Sequence, residues 1–176
     1  MEIRVERTKT PKEKPQGTLG FGKVFTDHML IMDFSRDKGW HDPRVIPYGP
    51  IALDPSAMVF HYGQENFEGM KAYRTEDGRT LLFRPWENAR RMNNSCDRLC
   101  MPQIDEDLWV ECVRKAVETD LDWVPTGHGE SLYIRPFMFA TGDVIGVKPA
   151  DEYPAHSESV TVWSGVSSPS PHSPSL

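Results

Sequence analysis

The pattern of apolar and polar positions divides the chain into a polar arm, a region of mixed elements and a polar tail. Residues 1–18 carry lysines and prolines with little apolar content, which predicts a flexible, extended arm. Residues 19–153 carry the sustained apolar patterns and predict one α+β domain. Residues 154–176 contain eight serines and four prolines, a composition that predicts a disordered tail.

The pattern of the first half of this domain predicts mainly β-structure. Rough alternation over 20–34, followed by a turn at 36–39, predicts a strand pair. Four prolines make 41–56 an irregular connection. Residues 57–60 predict a short buried strand, and the glycines that bracket 63–69 predict a short helix or turn.

The second half contains a hairpin, two helices and one further strand. The Asp-Gly pair at 77–78 predicts a tight turn within a hairpin over 70–84. Pro85 can start a helix whose apolar residues step by three and four and which ends before Pro102. Asp105 is the predicted N-cap of a second amphipathic helix, and 131–140 predicts a buried strand. The domain should therefore be a mixed or antiparallel sheet with two packed helices.

Composition restricts the possible partners. A net charge of -6 argues against binding to nucleic acid or to an anionic membrane, because both surfaces attract clustered Lys and Arg. The chain shows neither an apolar leader segment nor eighteen consecutive apolar residues, so we expect a cytoplasmic protein. Three cysteines and six scattered histidines lack metal-ligand spacing, and we expect no metal site and no disulfide framework.

Aromatic residues beside arginines are the candidate chemistry. An apolar pocket with a few fixed charges suits an aliphatic amino acid or its keto acid, although aromatic residues in strands usually belong to a core and helical arginines usually face solvent. The candidates are Phe21, Tyr62, Phe67, Tyr133, Arg91 and Arg135.

Two segments carry a specific resemblance. His-Tyr-Gly-Gln-Glu-Asn-Phe-Glu-Gly-Met-Lys-Ala-Tyr at 61–73 and Ser-Leu-Tyr-Ile-Arg-Pro at 131–136 resemble branched-chain aminotransferases, the class IV enzymes that depend on pyridoxal phosphate. The resemblance implies the small N-terminal domain of fold-type IV aminotransferases. It also implies a homodimer that exchanges the amino groups of leucine, isoleucine or valine with 2-oxoglutarate.

The resemblance also implies roles for individual residues. Arg91, rather than its neighbour Arg90, matches the arginine that binds the cofactor phosphate, for which a planar guanidinium is well suited. Other matches are to the side-chain pocket, to a Tyr-x-Arg pair at that pocket, and to a loop that reaches the partner subunit or packs ordinarily. These are, respectively, Phe21, Tyr62 and Phe67; Tyr133 and Arg135; and Ile145 and Val147.

The resemblance stops near Tyr153, before the segment that carries the family's cofactor-binding lysine. None of the eight lysines lies in a matching segment, and Lys71 is expected to be structural. We therefore expect a fragment that is inactive alone, with a frameshift or truncation near Pro154. The alternatives are a non-catalytic fragment that associates with full-length subunits, and another class IV enzyme acting on D-amino acids or aminodeoxychorismate. The run at 21–29 argues against the latter.

Overall fold

The fold is an antiparallel sheet that packs two helices on one face. The computed structural model describes residues 1–15, 17 and 22–142, together with the backbone of 158–167. Within these residues the strands are β1 (Arg4–Val5), β2 (His28–Ser35), β3 (Gly39–Pro47), β4 (Glu65–Phe67), β5 (Met70–Arg74), β6 (Thr80–Leu82), β7 (Ser131–Ala140) and β8 (Glu158–Ser167). The helices are α1 (Met58–Tyr62), α2 (Pro85–Arg98) and α3 (Glu106–Thr119), and a 3-10 turn spans Leu121–Trp123.

The sheet of the described residues has the strand order β1-β3-β2-β8-β7-β5-β6, and β4 pairs with β7 beside β5. The β1–β3 pair is parallel and the other pairs are antiparallel. Long strand β7 thus joins the two halves of the sheet. It pairs with β8 along one edge and with β4 and β5 along the other.

The hydrophobic core lies between the helices and one face of the sheet. Alternate residues of β7 (Leu132, Ile134 and Met138) are buried against it. From the helices, α2 contributes Met92 and α3 contributes Trp109, whose indole N–H lies 3.0 Å from the sulfur of Met92. The predicted periods of both helices are confirmed, because their buried residues fall on one stripe each. The predicted N-cap is also confirmed, since Asp105 accepts a hydrogen bond from Leu108 N at 2.9 Å.

The first half contains the expected strand pair, but the prediction of an irregular connection over 41–56 is wrong for its first residues. Strand β3 occupies 39–47, inside the proline-rich segment. Pairing between β2 and β3 steps from Ile31 to Asp33 on one strand and from Arg44 to His41 on the other. The extra residue is a β-bulge, and Pro43 lies there, where a missing N–H does not break the ladder.

The predictions for two short elements are also wrong. Residues 58–62 form helix α1 instead of a buried strand, and the turn predicted around Phe67 is strand β4. Gly63, in the left-handed region with φ 59°, ends α1 and lets the chain enter β4 at once. Pairing with β7 decides the conformation of β4, a non-local effect that a short apolar run does not reveal.

The arm and the tail also differ from expectation. Residues of the arm are extended, but they are hydrogen-bonded to the domain: Thr8 N donates to His28 Nε2 at 2.8 Å and Lys12 N donates to Asp27 Oδ1 at 2.8 Å. In the tail, 158–167 form β8 between β2 and β7 instead of being disordered. The remaining tail residues, 154–157 and 168–176, lie outside the described residues.

Candidate functional site

A buried carboxylate binds the arginine that the sequence singled out. Arg91 lies on α2, and its Nε and Nη2 donate to Glu68 Oε1 and Oε2 at 2.9 and 2.5 Å. The Glu68 side chain is only 5% exposed, whereas that of Arg91 is 63% exposed. Asn88, one turn earlier on α2, also donates to Glu68 Oε2 at 2.9 Å. Glu68 therefore fixes the direction of a guanidinium that still faces solvent.

One edge of the Arg91 guanidinium remains open. Glu68 occupies the Nε–Nη2 edge, and Nη1 has no hydrogen-bond partner among the residues that the structure describes. The hydrogen bonds to Glu68, and then its charge, raise the pKa of Arg91 above its already high usual value. The group thus stays charged, and its Nη1–Nη2 edge can donate two parallel hydrogen bonds to an anion.

A second arginine lies on the exposed face of β7. Arg135 donates from Nε and Nη2 to the Tyr133 hydroxyl oxygen at 3.1 and 2.6 Å. Its guanidinium carbon also lies 4.1 Å from the ring centroid of Phe67, a side chain that is 60% exposed. The structure therefore brings three predicted residues into one cluster on the face of the sheet that α2 and α3 leave uncovered.

Gly69 joins the two arginine sites. It follows Glu68, and its carbonyl oxygen accepts from Asn88 Nδ2 at 3.3 Å. A Cβ at Gly69 would lie 2.6 Å from the Tyr133 hydroxyl oxygen, closer than real Cβ contacts come. Only glycine leaves room for that hydroxyl, so the conformation of Tyr133 depends on this position.

The other predicted site residues do not join this cluster as it stands. Tyr62 ends α1, whose first N–H, that of Met58, donates to Gly142 O at 3.0 Å beyond the end of β7. The Tyr62 ring contacts His61, with 6.4 Å between the ring centroids. Three further residues lie outside the described residues: Phe21, Ile145 and Val147.

Sequence reasoning missed Glu68 and Asn88. A usable signal was present, because Glu68 shares the two-residue period of buried Met70 and Ala72 on the next strand. A carboxylate on the buried side of a strand needs a charged or hydrogen-bonding partner, and the helix packed there carries Arg91.

Other kinds of site find little support in the described residues. No three His, Cys, Asp or Glu side chains there lie together as metal ligands would. Across the same residues, no helix combines the length and the apolar character that crossing a bilayer requires.

Comparisons with known proteins agree with the motifs. No model of a protein family matches the sequence. A branched-chain-amino-acid aminotransferase 2 of Bacillus subtilis is 56% identical over 152 residues, which is 86% of this chain and 42% of the relative. A branched-chain-amino-acid transaminase 1 of the same species is 55% identical over 156 residues, 87% of this chain and 44% of the relative. The chain thus spans less than half the length of these relatives.

Solved structures show the same fold. A bacterial branched-chain amino acid aminotransferase complexed with N-(5'-phosphopyridoxyl)-L-glutamate matches with a TM-score of 0.54 and 26% identity, over 75% of this chain and 39% of that chain. The Escherichia coli enzyme matches with a TM-score of 0.55 and 24% identity, over 83% and 41%. The matched part is an α+β domain with the sheet and helices described above. Over the matched residues, this chain belongs to the branched-chain aminotransferase family, of which it corresponds to the small N-terminal domain.

Proposed function

We propose that this chain supplies the small domain of a cytoplasmic, homodimeric branched-chain amino acid transaminase. The reaction would exchange the amino groups of leucine, isoleucine or valine with 2-oxoglutarate, with pyridoxal 5'-phosphate as cofactor. One observation supports this most: Arg91 is oriented by a buried carboxylate and keeps a bidentate edge open toward solvent. That arrangement fits a phosphate group, which accepts two parallel hydrogen bonds.

Arg91 would hold the cofactor phosphate, while Glu68 keeps the guanidinium in place. Pyridoxal phosphate, when bound, supplies an electron sink for the α-carbon of the substrate. The contribution of this chain is to bind and to orient. Because Glu68 balances one positive charge, Arg91 can be held against the domain without an uncompensated buried charge before any phosphate arrives.

Phe67, Tyr133 and Arg135 would form one wall of the substrate pocket. The ring of Phe67 offers apolar area for an aliphatic side chain, and Arg135 places a fixed positive charge beside it. Phe21, Tyr62, Ile145 and Val147 would complete the pocket. Each buried methylene contributes about 0.8 kcal/mol, so discrimination among the three aliphatic substrates should be modest.

The 176-residue chain by itself should not turn over substrate. Lys71 is the lysine of the described residues that the sheet places nearest to this cluster, opposite Tyr133 and exposed. If it served as the cofactor-binding lysine, borohydride treatment with pyridoxal phosphate would fix an adduct that Lys71→Ala removes. We expect no specific adduct at Lys71, and turnover of leucine with 2-oxoglutarate by the purified chain would contradict the proposal.

A non-catalytic role beside full-length subunits is the second candidate. The exposed aromatic face of the sheet favours it, because side chains such as Phe60 and Phe67 are more than half exposed. Co-purification of the chain with a full-length relative, without any change in that relative's turnover, would support this role.

A chimera tests the main proposal directly. In it, this chain replaces the matched residues of the Bacillus subtilis relative, and transamination of leucine is measured. We expect turnover, with Arg91→Gln weakening pyridoxal phosphate binding far more than Arg90→Gln. Arg90 is a matched control because it lies on the same helix and pairs with the exposed Glu87 instead of Glu68. A folded chimera that lacks turnover, or equal effects of the two variants, would overturn the assignment.

A further inference from the structure

An apolar groove lies away from the arginine cluster, between the β5–β6 hairpin and helix α3. Its volume is about 590 Å³, within the range of about 300–1,000 Å³ that is usual for small-molecule sites. None of Glu68, Arg91, Tyr133 or Arg135 lines it. Its apolar walls are Leu81, Leu82, Trp86, Val110, Val117 and Leu121.

The two ends of the groove differ in chemistry. At one end, Arg74 donates from Nη2 to Leu121 O at 2.7 Å, and Arg79 and Arg114 line the rim. At the other end, the indole N–H of Trp86 donates to Asp107 Oδ1 at 2.8 Å and leaves the ring 47% exposed. The two ends are about 16 Å apart along α3, given a rise of about 1.5 Å per residue.

The cationic end holds polar atoms without partners. Among the described residues Arg74 forms no ion pair, and its guanidinium bonds only to carbonyl oxygens. Its buried Nε and the buried hydroxyl of Thr80, both from residues that line the groove, have no hydrogen-bond partner within the part of the chain that the structure describes. Such unpaired buried groups cost free energy, which a ligand at this end can recover by local rearrangement.

The neighbouring carboxylates do not close this end. Arg79 pairs with Asp77 at 2.7 Å, and Arg114 pairs with Glu111 and Glu118 at 3.3 and 3.4 Å. All of these pairs are solvent-exposed, and exposed pairs are weak enough for a ligand anion to compete with them.

We infer that this groove binds a small amphiphilic anion, a carboxylate with an apolar chain. The carboxylate lies at the end formed by Arg74, Arg79 and Arg114, and the chain extends over Leu81 toward Trp86. The inference is independent of the transaminase proposal, because the two sites share no residue. It rests on three features that occur together in the described residues: an apolar floor, a cation without a carboxylate partner and two unpaired buried polar atoms.

The test is a titration followed by NMR. The indole N–H signal of Trp86, assigned by Trp86→Phe, reports on the apolar end. Sodium octanoate is added to the folded 176-residue chain below its micelle concentration, and octyltrimethylammonium serves as the cationic counterpart. We expect a saturable shift with octanoate and none of comparable affinity with the cation.

Two variants locate the site. Leu121→Glu adds a negative charge at the cationic end, and we expect it to weaken octanoate binding about fivefold or more. Phe83→Glu makes the same change at a side chain that is 75% exposed and outside the groove lining, and binding should stay within about twofold. If Leu121→Glu unfolds the chain, Arg114→Gln replaces it, with Arg90→Gln as its control.

Three results would overturn the inference. The first is a linear, non-saturating shift with octanoate. The second is equal affinity for the cationic amphiphile, which would indicate apolar adsorption alone. The third is equal weakening by the groove variant and its control, which would place the ligand elsewhere.

Discussion

Replacing Glu68 by Gln tests whether the buried carboxylate holds Arg91. The change keeps the shape of the side chain but removes its charge and replaces one acceptor oxygen by a donor. Two charge-assisted hydrogen bonds from Arg91 are lost or weakened, each of them worth about 1.5–3 kcal/mol in proteins. Part of this loss is offset because Arg91, at 63% exposure, regains water. We therefore expect the free energy of unfolding to fall by about 2 kcal/mol.

The reciprocal change should cost more. Arg91→Met leaves a carboxylate that is 5% exposed with Asn88 as its remaining side-chain partner, and we expect a loss of about 3 kcal/mol. The double variant should lose less than the sum of the two single variants, since the buried charge and its partner disappear together.

Urea unfolding followed by circular dichroism measures all three variants, with Glu87→Gln as the control. Glu87 pairs with Arg90 on the exposed side of the same helix, and its loss should leave the unfolding free energy nearly unchanged. If Glu68→Gln behaved like Glu87→Gln, or if the two single effects simply added, the buried pair would not hold the guanidinium.

Two further predictions concern packing and thiol reactivity. Gly69→Ala should lower the free energy of unfolding by about 2 kcal/mol or move the Tyr133 ring, because the new methyl group meets the Tyr133 hydroxyl; Gly49→Ala, with nothing within 4 Å, is the control in the same unfolding assay. Burial raises the pKa of Cys112 to about 12, so at pH 8 its thiol is almost entirely protonated, and iodoacetamide should modify exposed Cys100 first. Peptide mass mapping over time checks the order, and faster labelling of Cys112 would contradict it.

Local sequence signals were sufficient for the elements whose stability is local. Helices α2 and α3 were predictable because apolar stripes, Pro85 and the Asp105 cap lie within the helices themselves or at their ends. The β5–β6 hairpin was predictable from its Asp-Gly turn, in which Gly78 has φ 83°. Each of these signals acts over a few residues of chain.

Long-range pairing explains most of the misses. Strand β8 lies in a Ser/Pro-rich tail, and its alternating valines at 160 and 162 were outweighed by the overall composition. Its backbone pairs with β2 and with β7, and β2 is distant in the sequence. The same reason applies to β4, which is a strand only because β7 lies beside it. Composition describes a segment alone and does not reveal which neighbours complete its hydrogen bonds.

The site was predicted in its arginines and aromatic rings but not in the groups that position them. Resemblance pointed to Arg91 and Arg135, and the structure adds that each is already bound along one edge: by Glu68 in the first case and by Tyr133 in the second. A long, flexible side chain loses conformational entropy when a ligand fixes it. Here the fold has already fixed both guanidinium groups, so a phosphate or a carboxylate meets oriented donors. The same reasoning explains why a buried glutamate is compatible with an anion site. Glu68 removes the cost of holding a cation in one direction, and it does so from the edge of Arg91 that the anion does not need.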